Sequence, residues 1–134
     1  MLLISAVVLS SMDHSPGFLK LVTEERPYVK EITLDQARER LANNPNLLLI
    51  DVREDHEWAK EHAAQAIHLS RGILERDLER TVPDFDREII MYCGGGYRSV
   101  LTASAAQKMG YRHVYSLAGG YKAMAKSQWP MKKD

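Results

Sequence analysis

The sequence predicts one α/β domain built on a mostly parallel sheet. Three observations carry this reading. Short continuous apolar runs recur at residues 47–50 (LLLI), 66–69 (AIHL), 88–92 (EIIMY) and 113–117 (HVYSL). Parallel strands covered on both faces read this way, because neither face meets water. Stretches with helical apolar spacing alternate with these runs. Finally, 134 residues that are 45% apolar and 27% charged suffice for one proper core without metal or disulfide staples.

Each element has a local reason. Residues 2–9 (LLISAVVL) are apolar, but a bilayer span takes about 20 residues. No Lys or Arg precedes Lys20, so the positive flank of a secretory signal is missing. A signal or anchor, an apolar arm, and a start codon assigned too early all stand open. A start at Met12 is favoured. Residues 13–30 are polar and broken by Pro16, Gly17 and Pro27. They are expected as a leader on the surface, so 1–30 form an arm and 31–134 the domain. Thr33 is an N-cap with Gln36 as its capping-box partner. Leu34, Ala37 and Leu41 follow as a helical stripe, which the cluster at 43–46 (NNPN) stops. The first buried strand then ends at Asp51.

Residues 54–61 predict a short polar helix with Trp58 on its inner face. A second strand covers 66–69, and a helix over 72–80 carries Ile73, Leu74 and Leu78. The strand at 88–92 delivers Cys93 at its C-terminal end. A helix over 97–109 closes at Gly110 as its C′ residue. After the strand at 113–117, Gly119 and Gly120 turn the chain into a last helix, with Pro130 near its end. Ligands of such folds sit beyond the carboxyl ends of the strands, where Cys93 lies.

Composition excludes several functions. Eighteen basic residues against eighteen acidic ones give zero net charge, which argues against a nucleic-acid partner bound by counterion release. No membrane partner is expected either. Cys93 is the only cysteine, so an internal disulfide and a multi-cysteine zinc site are both excluded. The five histidines form no HExxH pattern. Neither metal nor cofactor is expected.

The informative segment is Cys93-Gly94-Gly95-Gly96-Tyr97-Arg98, set between a buried strand and a helix. Three glycines tolerate positive φ, so successive N–H groups can converge as an anion-binding nest. The helix that follows adds unpaired N–H groups and the positive end of its dipole. A cysteine at the mouth of that cup is favoured as thiolate. The first helical turn usually prefers acids, yet here it holds Tyr97, Arg98 and Ser99. Arg98 therefore points to a negative occupant, or ties the loop to a carboxylate such as Asp51 or Glu57, or does both. Tyr97 either shapes donor access or packs on the rim. Arg71, after the second strand, is expected near the pocket mouth. A dinucleotide fingerprint fails because position 99 is Ser, and a phosphate loop fails because no GK[ST] follows.

Three patterns in order resemble the rhodanese sulfurtransferase family: LLLIDVREDHEW at 47–58, IIMYCGGGYRS at 89–99 and MGYRHVYSLAGGYKA at 109–123. The resemblance spans about residues 31–129. It implies a doubly wound, mostly parallel sheet of about five strands with helices on both faces. It also implies that Cys93 takes a sulfane sulfur from a donor such as thiosulfate and holds it as a persulfide. The sulfur then passes to a thiophilic acceptor such as cyanide or a thiol, including a thioredoxin-like protein. Gly94, Gly95, Gly96, Tyr97 and Arg98 would form the loop that holds the persulfide. Asp51 and Arg53 match the family's DVR motif and would brace the active-site side of the sheet. Two departures stand out. Residues 61–66 (EHAAQA) keep only His62 and Ala66 of the family's usual stretch before the second strand. The last helix has Met124 where the family usually has tryptophan, a change that Trp129 could offset.

Two rival functions are weighed against sulfur transfer. Phosphatases and arsenate reductases of this fold also pair a loop cysteine with an arginine, but their loop is one residue longer, to encircle a tetrahedral oxyanion. Non-catalytic regulatory modules of this fold often lack the cysteine, which this chain retains. A reactive thiol without a disulfide suits a reducing cytoplasm.

Overall fold

The computed structural model describes residues 14–134. The apolar run at 2–9 and the start at Met12 lie outside them. The first described element lies in the segment expected as a surface leader, and it is helical. Helix α1 spans Pro16–Glu25, with Pro16 at its first position, where the missing N–H costs nothing. Val22 is almost wholly buried. The Ser104 hydroxyl donates to Glu25 at 2.8 Å and pins the other end.

A short 3₁₀ turn, Arg26–Tyr28, leads into strand β1, Lys30–Ile32. Helix α2, Leu34–Asn43, carries the capping box expected at Thr33 and Gln36, with both reciprocal hydrogen bonds formed. Strand β2, Leu48–Asp51, is followed by helix α3, Asp55–Lys60, and the short strands β3, His62–Ala63, and β4, Ile67–His68. Helix α4, Arg71–Thr81, precedes strand β5, Ile89–Tyr92. Helix α5, Arg98–Met109, ends at left-handed Gly110 as predicted. Strand β6, Val114–Leu117, helix α6, Gly120–Lys126, and strand β7, Met131–Lys132, complete the order.

The main sheet has the strand order β1-β6-β5-β2-β4, and every pairing in it is parallel. Five strands with helices on both faces match the expected architecture. Side chains alternate across the sheet. Ile89 and Met91 of β5 join a core beneath α1, α4 and α5, with Val22, Leu74, Leu78 and Val100. Ile90 and Tyr92 join the opposite core, with Ala37 of α2 and Met124 of α6. β5 is the middle strand, so its C-terminal end opens at the centre of the molecule.

The departure at 61–66 has a structural counterpart. His62 and Ala63 pair antiparallel with Lys132 and Met131, and the Tyr92 hydroxyl accepts the Ala63 N–H at 3.0 Å. Trp58 is a packing anchor, stacked between His62, with ring centroids 3.3 Å apart, and His68, at 4.9 Å. Met124 and Trp129 are buried in one cluster, so the tryptophan from beyond the helix does fill the space beside the methionine.

Candidate active site

β5 ends at Tyr92 and hands over directly to Cys93. Helix α5 has no side-chain N-cap, which leaves its first amides without the usual acceptor. The Cys93 sulfur takes that role. Ser99 N donates to Sγ at 3.3 Å and Gly96 N donates at 3.2 Å. Gly96 has φ +96°, a backbone turn that glycine adopts without a Cβ clash. The Sγ also lies 3.4 Å from the Ser99 hydroxyl, which pairs with Ser116 Oγ at 2.7 Å. Cys93 is 1% exposed, yet it lines an open cleft of about 840 Å³. The sulfur sits at the floor of that cleft, inside a cup of donors placed before any reaction begins.

Arg98 reaches toward α3. Its guanidinium grips Glu57 in a fork, Nη1 to Oε1 at 2.7 Å and Nη2 to Oε2 at 3.1 Å, with Glu54 at 3.7 Å. Of the two carboxylates considered from the sequence, Glu57 is the partner. Asp51 is already engaged by Arg53, and neither of that pair lines the cleft. Arg53 binds Asp51 through Nε and Nη2, the latter at 2.8 Å, and both residues are buried. Arg71 lies in the cleft lining, as expected. Tyr97 packs on the rim against His14, at 4.2 Å between ring centroids, and lines the cleft as well.

The hydrogen bond from Arg98 holds the Glu57 carboxyl down to about 2, from an ordinary 4.5. A carboxylate whose folded value is depressed adds stability above its unfolded value and loses it as pH falls toward the folded value. Glu57→Gln should therefore flatten the acid limb of the stability profile between pH about 4.5 and about 2. Urea unfolding across that window would check this. An unchanged slope would assign the acid sensitivity to other groups.

Sequence reasoning missed part of the lining. His14 and Phe18 of the N-terminal segment, and Lys122 and Lys126 of α6, all face the cleft. The lysines stand four apart on the helix after Gly119-Gly120, a spacing that puts both on one face. Nothing in the local pattern ties His14 and Phe18 to the loop.

An α/β domain whose central strand delivers a cysteine into a cup of backbone amides defines a class of loop-thiol proteins. Within it, this chain belongs to the rhodanese-like domain family, whose model matches residues 33–127. It is 33% identical over 101 residues to the thiosulfate sulfurtransferase GlpE of Actinobacillus pleuropneumoniae, covering 75% of this chain and 91% of that one. A solved E. coli structure described as rhodanese with anions is 31% identical, with TM-score 0.59, covering 66% of this chain and 99% of that chain. A Rhodopseudomonas palustris protein of unknown function, RPA3614, described as a possible tyrosine phosphatase, shares the fold at TM-score 0.79 and 23% identity, covering 88% and 96%. At that identity the last likeness speaks for the fold alone. The named relatives support sulfurtransferase activity in general. No helix among the described residues is long and apolar enough to cross a membrane.

Proposed function

We propose that the protein moves a sulfane sulfur from an anionic donor such as thiosulfate, or from a persulfide, to a thiophilic acceptor through a persulfide on Cys93. The observation that carries this is the pair of backbone amides, Gly96 and Ser99, aimed at Sγ. Such donors hold negative charge on sulfur as an oxyanion hole holds it on oxygen. The Cys93 thiolate attacks the outer sulfur of thiosulfate. The S–S bond of thiosulfate breaks, and sulfite leaves with the electron pair. Cyanide or a thiolate then attacks the outer persulfide sulfur, and the pair from the broken S–S bond returns to Sγ. The thiolate is its own nucleophile, so neither half needs a general base or a metal. Only four residues separate Cys93 from Arg98, and that cup suits one sulfur atom better than a tetrahedral phosphate. A thiol-reducing compartment such as the cytoplasm keeps the nucleophile available.

Intact mass after incubation with thiosulfate tests the reading, with Cys93→Ser alongside and cyanide added afterwards. The expected result is a gain of one sulfur on the wild type only, lost on cyanide with release of thiocyanate. No gain on the wild type would overturn catalysis and leave a binding module.

A further inference from the structure

We propose that the sulfur acceptor is a small organic thiol with an apolar body beside its sulfur and an anionic group farther out. The proposal rests on the sulfurtransferase reading above and names the substrate class of that same site. Size is the first argument. A cleft of about 840 Å³ falls in the range of pockets that enclose multi-ring organic ligands. Ions of a few atoms occupy only a small part of it.

The walls are the second argument, and they are unlike. From one face of the sheet, Phe18 of α1 and His14, just ahead of that helix, gather around Tyr97. The ring centroids are 6.4 Å apart for Phe18 and Tyr97 and 5.6 Å for His14 and Phe18. Arg26 lies over Tyr97 at 5.4 Å. Buried Val22 and the Glu25–Ser104 hydrogen bond fix this wall in place. An aromatic surface has little to offer thiosulfate or cyanide, since ring faces are apolar and carry negative potential. It suits the hydrocarbon part of an organic molecule. From the other face, α6 presents Lys122 and Lys126, and Arg71, at the start of α4 on the α1 face, completes the cationic lining. Among the described residues none of these three cations has a carboxylate within ion-pair distance. Glu57, the acid in the lining, is taken by Arg98. Unpaired cations at a cleft attract anions.

Helix α1 also lies outside the residues matched by the family model, 33–127. Phe18 and His14 thus stand outside the matched stretch, whereas Tyr97 belongs to it. In the reaction, the acceptor's thiolate sulfur attacks the outer sulfur of the Cys93 persulfide. The Sγ–S bond breaks, its electron pair stays on Sγ, and the acceptor leaves as an organic persulfide.

The test uses the full chain, thiosulfate as donor and sulfite release as readout. The acceptors are 4-(mercaptomethyl)benzoate, 3-mercaptopropionate, cysteamine and cyanide. In a two-step exchange, kcat/KM for the acceptor reports the acceptor half-reaction alone. The aromatic carboxylate should exceed cysteamine by at least about tenfold, the order of discrimination a specificity pocket gives. Phe18→Ala should lower its kcat/KM relative to that of cyanide by about tenfold. His14→Ala, which lies ahead of α1 and leaves its buried side untouched, should move the same ratio in the same direction. Lys122→Glu with Lys126→Glu should lower both anionic thiols relative to cysteamine by about tenfold. Cyanide turnover without discrimination among the thiols, or ratios that stay put in all three variants, would overturn the acceptor class while sparing the sulfurtransferase reading. Absence of turnover with every acceptor would overturn both.

Discussion

Gly120→Ala should cost about 3 kcal/mol or more, lower the melting temperature by about 10 °C or more, and take sulfur transfer with it. Gly120 has φ +51°, a left-handed conformation that costs a residue with a Cβ about 1–2 kcal/mol. Space is the larger problem. A Cβ there would run into the Cys93 carbonyl oxygen and lie 3.0 Å from the carbonyl carbons of Cys93 and Gly94. These are backbone atoms that cannot rotate aside. They are also bonded to the residues just after Gly120, since Tyr121 N donates to Cys93 O at 2.7 Å and Lys122 N donates to Gly94 O at 3.1 Å. The first turn of α6 is thus bonded to the backbone that carries the sulfur. Relieving the clash pulls α6 off the loop and shifts Cys93 beneath its amides. Gly72→Ala is the matched control, because nothing lies within 4 Å of a Cβ there. Alanine in that exposed helical turn should be neutral or add about 0.5 kcal/mol. Thermal melts of both variants, with persulfide formation measured well below each melt, check the contrast. A Gly120→Ala protein that melts and transfers like the wild type would show that α6 does not position the loop.

The same pair of glycines marks what a linear reading can and cannot reach. Gly119 and Gly120 were legible as a turn into a helix. That Gly120 rests on the Cys93 backbone was not, because the two are far apart in sequence. β2, β5 and β6 were legible because a strand buried on both faces has a continuous apolar signature. β1 lacks that signature. It lies at the sheet edge with Lys30 and Glu31 exposed, so its sequence resembles a loop. β3 and β7 are two residues each, too short for any periodicity. The expected strand at 66–69 is ordered only over Ile67–His68, at the opposite edge. In α1, Pro16 and Gly17 read as breakers but stand in the first turn, where Pro is tolerated. The Gly96 amide was readable as part of a nest because the chemistry is local, whereas the second amide on the sulfur, that of Ser99, stood outside the segment read as the loop. The Arg98–Glu57 fork was readable only as one of two pairings, since sequence does not say that Arg53 has claimed Asp51.

That buried claim sets up the second large effect. Asp51→Ala should destabilise the fold by about 3–5 kcal/mol. Asp51 is fully buried and Arg53 is 3% exposed. The carboxylate receives Arg53 Nη2 at 2.8 Å, Nε at 3.1 Å and the Arg53 backbone N–H at 2.8 Å. Without it, the guanidinium keeps one acceptor, the Glu61 carbonyl at 2.6 Å, and the faces of Tyr121 at 4.4 Å and Tyr92 at 5.8 Å. A buried cation with so few partners cannot recover its lost hydration. The cost then comes mainly from the stranded charge rather than from the worth of the pair. The double variant Asp51→Ala with Arg53→Met separates these terms, because methionine fills part of the arginine's space without a charge. It should be more stable than Asp51→Ala alone, although it carries one more substitution. Urea unfolding of the wild type, both single variants and the double variant gives the coupling directly. If the double variant were less stable than Asp51→Ala by the full cost of Arg53→Met, the two residues would be acting independently. The β2 end would then be held by packing, and the ion pair beside the loop would contribute little to its position.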